Sequence, residues 1–221
     1  MSEAHMTYER PVRESGEKFT LEVEGLGYAV QLPWVWLPAD SGEIRIASLD
    51  LVGQTRLNRD LGRLLAAKLR PLLAGKKRVA MLTAVEKSLQ LAQVVAEELG
   101  FDEIAVAHNR VKPHMEPARR PVLQVGADSI TSGDKFLALY ERSLSIVNEA
   151  ADGVILLDDV ISTGSTMLAL QALLESSARF ANLPAVPPVL AMACAAVEGT
   201  PAIEPVVSVA QLPAPIFRAR S

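Results

Sequence analysis

Two adjacent carboxylates, followed within a few residues by a cluster of hydroxyls, mark the part of this chain best equipped for chemistry. The string reads Val154-Ile155-Leu156-Leu157-Asp158-Asp159-Val160-Ile161-Ser162-Thr163-Gly164-Ser165-Thr166. The four apolar residues ahead of the acids have the composition of a buried parallel strand, and ligands of open parallel sheets sit at the carboxyl ends of the strands. The acids are therefore expected to face a crevice. Successive strand residues point to opposite sides, so Asp158 and Asp159 can share one task only if the strand curls where they stand. Beyond them Ser162, Thr163, Ser165 and Thr166 supply hydroxyls, Gly164 supplies a backbone free to turn, and a helix start supplies unpaired N–H groups. That combination binds a phosphate. Two acids at a strand end are by themselves ordinary turn or capping chemistry. The full ordered string of thirteen residues points instead to a ligand.

Other phosphate-binding patterns fail on particular residues. A nucleoside-triphosphate loop needs a lysine after its second glycine, and Ser165 follows Gly164. Gly25-Leu26-Gly27 opens like a dinucleotide fingerprint, but Val30 stands in the third glycine's place and no strand signal precedes it.

The string resembles the phosphoribosyl-pyrophosphate signature of the type I phosphoribosyltransferases. The resemblance implies that Asp158 and Asp159 hold the ribose hydroxyls, and that Val160, Ile161, Ser162, Thr163, Gly164, Ser165 and Thr166 form the loop gripping the 5-phosphate. Ser165 replaces a second glycine common in the purine enzymes. Val85, Glu86, Lys87 and Ser88 occupy the position of the family's pyrophosphate loop, with Ser88 in place of a glycine. Asn109-Arg110-Val111-Lys112 is similar to a basic region of the purine enzymes, with Asn109 in an arginine's place. Arg110 and Lys112 would then neutralise the leaving pyrophosphate, Lys112 beside the two acids as a catalytic residue. Mg²⁺ would be held mainly by substrate and water, with no protein metal site of its own.

The implied reaction transfers phosphoribose to a purine base, adenine or xanthine favoured, in nucleotide salvage. A pyrimidine (orotate) acceptor and a non-catalytic sensor of the activated ribose are the alternatives. A sensor acting on DNA would need a helix pair, and residues 1–48 show no helical period and no basic cluster. Trp34, Trp36 and Phe217 are the candidates for stacking on the base, within a small hood made by the terminal segments. The family further implies a cytoplasmic homodimer whose small-molecule partners are the activated ribose and a nucleobase.

The elements that must position these residues follow from periodicity. Leu57, Leu61, Leu64, Leu65, Leu69 and Leu72 recur at helical spacing, ended by Pro71 and Gly75. Residues 79–83 form an apolar run that predicts a strand. A helix follows, with Ser88 as its cap and Gly100 at its end, and then a second strand over 104–107. Residues 165–180 read as the crossover helix after the acid strand, and 189–195 as the next strand. The whole predicts an α/β fold, a doubly wound and mostly parallel sheet flanked by helices. Three regions are expected: residues 1–48 as N-terminal segment and part of the hood, 49–197 as core, and 198–221 as C-terminal hood. Residues 108–135, basic and rich in proline and glycine, are the expected lid over the core.

Composition closes off other classes. Net charge is −4 with no long basic block, so a nucleic-acid surface is not expected. Cys194 is the single cysteine, in an apolar run that excludes an internal disulfide. Residues 180–197 carry no charge, yet Pro184, Pro187 and Pro188 break any spanning helix, so no membrane partner is expected. Residues 1–6 lack the basic and apolar regions of a signal peptide.

Overall fold

The computed structural model describes residues 13–39, 41–109, 122–125 and 137–219. The chain opens with the strands Arg13–Leu21 (β1), Val30–Ala39 (β2) and Gly42–Ala47 (β3), then the helix Thr55–Leu69 (α1). Val79–Ala84 (β4), Leu89–Leu99 (α2) and Ala105–Ala107 (β5) follow, then the hairpin strands Val122–Val125 (β6) and Leu137–Tyr140 (β7). Glu141–Glu149 (α3), Gly153–Ile161 (β8), Ser165–Phe180 (α4), Val189–Glu198 (β9), Val206–Leu212 (β10) and Ile216–Ala219 (β11) complete it.

Among the described residues, five strands pair in the order β10-β9-β8-β4-β5, every pair parallel. This is the expected fold class. α1 and α2 pack on one face of the sheet with Leu61, Leu65, Leu69, Leu91 and Val95. α3 and α4 pack on the other with Leu144, Val147, Leu170 and Leu174. Leu57, Leu61, Leu65 and Leu69 stand four apart, which puts one buried stripe along α1, and each fully buried leucine contributes about 2 kcal/mol of transfer free energy. Pro71 cannot continue that hydrogen bonding, and the chain passes into a 3-10 turn, Arg70–Leu73. α2 ends at Gly100, φ +78°, whose N–H closes onto the carbonyls of Ala96 and Glu97.

From the boundary between β4 and β8 the chain winds outward in both directions, to β5 on one side and to β9 and β10 on the other. Such a boundary is where the loops above neighbouring strands diverge and leave a crevice.

The two ends of the chain share a second, antiparallel sheet in the order β1-β2-β3-β11. Two expectations change here. Val206–Leu212 is an edge strand of the parallel sheet, paired with β9, and not part of a terminal hood. Its Val207, Val209, Ala210 and Leu212 pack into the core beneath α1, which a reading of the segment as a covering loop overlooks. A strand, β1, also does precede Gly25, although the residues after it form no helix. β2 is an interior strand despite its prolines. Pro33 turns its carbonyl toward Ser48, just past the end of β3, where it accepts the Ser48 N–H at 2.9 Å, so its nitrogen faces the chain beyond the last β2/β3 rung, Trp34 with Ala47. Among the described residues no helix is long and apolar enough to cross a membrane.

Candidate functional site

β8 does not stop at the acids; it runs through them to Ile161. How both acids reach one cleft is visible in the packing on either side of them. Ile155 and Leu157 face α1 and α2, and strict alternation would send Val160 to the other face and Ile161 to theirs. Instead Val160 packs with the α1 and α2 cluster and Ile161 with the α3 and α4 cluster. The neighbours make the same change at the same level: Ala195 and Ala196 of β9, and Val209 and Ala210 of β10, pack on one side in adjacent pairs. Val160, Ala196 and Ala210 are in register across the three strands. The three strands therefore change phase together at the rung of Asp159, Ala195 and Val209, which is missing from both ladders while the register on either side is kept, and Asp158 and Asp159 fall at this change.

The result is a cleft of about 560 Å³ above the β4/β8 boundary. One wall is residues 84–87, which include Val85, Glu86 and Lys87; the opposite wall and floor are residues 158–167. That run contains Asp158, Asp159, Val160, Ile161, Ser162, Thr163, Gly164, Ser165 and Thr166, with Met167 added. Both acids are half-buried, and the backbone N–H of Asp159 donates to Asp158 Oδ1 at 2.9 Å. At the start of α4, Gly164 has φ +81°, and a Cβ there would lie 2.8 Å from Ile203 Cδ1 in the loop between β9 and β10. Only glycine fits both the dihedral and the space. No side chain caps α4; the Ser165 N–H makes only a 3.4 Å contact with Thr163 Oγ1, so the helix start presents backbone donors to the cleft.

Asn109 and Leu137 also line the cleft. Asn109 was legible as the first residue of the basic region, whereas Leu137 and Met167 carry no motif and enter only through the fold. His108, ahead of Asn109, exchanges backbone hydrogen bonds of 2.8 Å with Ala138 and meets the Tyr140 ring edge-to-face at 5.2 Å, which ties the end of β5 to β7. Arg110 and Lys112 lie outside the described residues, as does most of the expected lid.

Four expected site residues are not in the cleft wall. Ser88 does not cap α2 with its side chain; it is buried, and its hydroxyl turns inward onto the Ala84 carbonyl at 2.6 Å. Trp34, Trp36 and Phe217 belong to the antiparallel sheet. Residues two apart on β2 share a face, and there the tryptophans stack with arginines: the Arg45 guanidinium is 4.6 Å from the Trp34 ring centre and 5.9 Å from that of Trp36, and Arg218 is 5.9 Å from Trp36. Phe19 meets Trp34 edge-to-face at 5.8 Å. Phe217 is 54% exposed on β11, across the sheet from Ile44.

Cys194 lies directly beneath the site, paired in register with Asp158. Burial, reinforced by the charges of Asp158 and Asp159, pushes its thiol up to about 12. The thiolate is the reactive form, so the folded protein is expected to resist a thiol-modifying reagent at pH 8 and to react stoichiometrically once unfolded. Rapid modification of the native protein would contradict this burial.

The described lining residues include three carboxylates, Glu86, Asp158 and Asp159, against one lysine, Lys87. A polyphosphate needs more positive charge than that. Carboxylate oxygens are hard donors suited to Mg²⁺, but no group of three metal-binding side chains occurs among the described residues. The three carboxylates fit an ion shared with a phosphate-bearing substrate.

The fold and site together define a parallel α/β protein with an acid pair and an uncapped, glycine-turned helix start lining one cleft at the switch point of its sheet. No family model matches the sequence. No curated protein matches it. Solved structures do. An adenine phosphoribosyltransferase from Thermoanaerobacter pseudethanolicus is similar at 17% identity, covering 73% of this chain and 79% of that one, with a TM-score of 0.43. The adenine phosphoribosyltransferase of Leishmania tarentolae is similar at 16% identity over 74% and 70% of the two chains, TM-score 0.47. A hypoxanthine phosphoribosyltransferase from Staphylococcus aureus is similar at 11% identity over 72% and 74%, TM-score 0.43. At these values the function is argued from the residues of the cleft.

Proposed function

We propose that this chain is a phosphoribosyltransferase that moves the 5-phosphoribosyl group of phosphoribosyl pyrophosphate to a purine base, adenine or xanthine, and releases pyrophosphate. One observation carries the reading: a break in strand alternation brings Asp158 and Asp159 into the same cleft as the glycine-turned helix start at residues 162–166. A sugar phosphate has two recognition features, adjacent hydroxyls and a dianion, and this cleft has a partner for each. The carboxylates accept hydrogen bonds from the ribose hydroxyls, and the backbone N–H groups of the α4 start receive the 5-phosphate.

The ribose fixed in this way presents C1 toward the wall formed by residues 85–87. There the leaving pyrophosphate meets Lys87 and the loop backbone, with Arg110 and Lys112 supplying further positive charge. Mg²⁺, bound by the pyrophosphate with Asp158, Asp159 and Glu86 as outer contacts, would neutralise charge on the leaving group. The chain's own work is to orient the ring, to place negative charge beside a C1 that becomes cationic as the bond breaks, and to exclude water. The enzyme is taken to act as a homodimer in nucleotide salvage in the cytoplasm.

The decisive experiment supplies phosphoribosyl pyrophosphate and Mg²⁺ with adenine, xanthine, hypoxanthine, guanine or orotate and follows pyrophosphate release. Release with adenine or xanthine is expected. Release with orotate alone makes the protein a pyrimidine enzyme, and tight binding of the activated ribose without release for any base makes it a sensor.

A further inference from the structure

The two walls of the cleft come from neighbouring strands, and their ladder ends at a defined rung. β4 and β8 pair from Val79 with Gly153 as far as Thr83 with Leu157. One residue further on, Ala84 and Asp158 already line opposite sides of the opening. At this last rung the Thr83 hydroxyl donates to the Leu157 carbonyl at 2.8 Å. Thr83 Oγ1 is also 2.8 Å from Ser88 Oγ, and Ser88 Oγ is 2.6 Å from the Ala84 carbonyl. Both side chains are buried, with 0% and 1% exposure, and neither opens onto the cleft.

Two hydroxyl protons serve three contacts, so the pair acts as a chain that donates to one carbonyl or the other while holding the hydroxyls together. One end of the chain is the residue before the acids. The other is the residue before the loop 85–87, and Ser88 is the residue after it. The loop is thus tied back to its own beginning and, through Thr83, to the strand carrying Asp158. Valine and alanine would fill the same volumes without burying polar atoms, so packing alone does not account for hydroxyls here.

We propose that Thr83 and Ser88 are positioning residues: their hydrogen-bonded pair sets the separation between the pyrophosphate-side loop and the ribose-holding acids where the backbone ladder no longer can. This deepens, and rests on, the phosphoribosyltransferase reading of the cleft. The side chain of Ser88, unexplained as a ligand, has its role in this brace. Cutting the chain at either residue frees the loop while leaving both walls chemically intact.

The test uses Thr83→Val, Ser88→Ala, the double variant and the conservative Thr83→Ser. Binding of inorganic pyrophosphate with Mg²⁺ is measured by calorimetry, and amide exchange is followed at Glu86 and Lys87. Thr83→Val is expected to weaken pyrophosphate binding by about tenfold, the loss of one buried hydrogen bond. It is also expected to speed exchange at the loop amides, with KM for the base unchanged. Thr83→Ser should restore both. The double variant should match the singles, because each cuts the same chain. If Thr83→Val does not fold, Ser88→Ala carries the same expectations from the other end. Wild-type pyrophosphate affinity in the folded variants overturns the brace and leaves the functional reading standing. A wild-type protein that binds neither pyrophosphate nor phosphoribosyl pyrophosphate overturns that reading, and the brace's role with it.

Discussion

Replacing Asp158 and Asp159 together by asparagine is expected to lower phosphoribosyl transfer by about a thousandfold, the loss of two charge-assisted hydrogen bonds worth roughly 2 kcal/mol each. The fold should survive. Both side chains are only half-buried in the cleft, and the amide oxygen of an asparagine at 158 can still accept the 2.9 Å bond from the backbone of residue 159. What asparagine cannot supply is negative charge beside a sugar ring that becomes cationic as pyrophosphate departs, and its NH₂ meets a ribose hydroxyl as a donor. The loss should therefore fall on kcat as well as on KM for the activated ribose. Circular dichroism and thermal melting check the fold, and initial rates check the rest. Wild-type turnover in the folded double variant would remove the acids from the mechanism.

Gly164→Ala should have the next largest effect, and for a different reason. At φ +81° an alanine incurs left-handed strain of about 1–2 kcal/mol, and its Cβ would sit 2.8 Å from Ile203 Cδ1, inside any normal contact. Neither is relieved by rotating the new side chain, because a methyl has no alternative place. The Ile203 side chain must turn aside, and the left-handed strain is relieved only if the turn opens. Opening the turn re-aims the N–H groups that precede α4, and the affinity for a sugar phosphate should fall by about a hundredfold, since these donors act only at hydrogen-bond distance. Retained affinity for phosphoribosyl pyrophosphate, measured by calorimetry on the folded variant, would show that the 5-phosphate is held elsewhere.

Much of this site was legible in the sequence because it depends on local order. The apolar strand, the two acids and the hydroxyl run are contiguous, and the crossover helix begins at Ser165, where the string ends. The alternation of strand and helix signals likewise sufficed for a parallel doubly wound sheet. The same reading failed where a segment's role depends on what lies beside it. Val206–Leu212 looks like any short valine-rich strand, and only pairing with β9 places it in the parallel sheet. Trp34 and Trp36 have the faces a base could stack on, but Arg45 of β3, the next strand, and Arg218 of β11, from the far end of the chain, lie over them. Ser88 has a capping residue's identity, yet a hydroxyl from the strand before it, together with a carbonyl at that strand's end, draws it inward.

Sequence by itself thus determined that the acids, the hydroxyl run and Gly164 are contiguous and on which kinds of element they sit, since strand, turn and helix preferences act over a few residues. Tertiary structure alone decided that the two acids serve one cleft. Their common orientation comes from a break in alternation that β8 shares with β9 and β10, strands more than thirty residues further along the chain, and an irregularity held in common by paired strands has no counterpart in the sequence of any one of them.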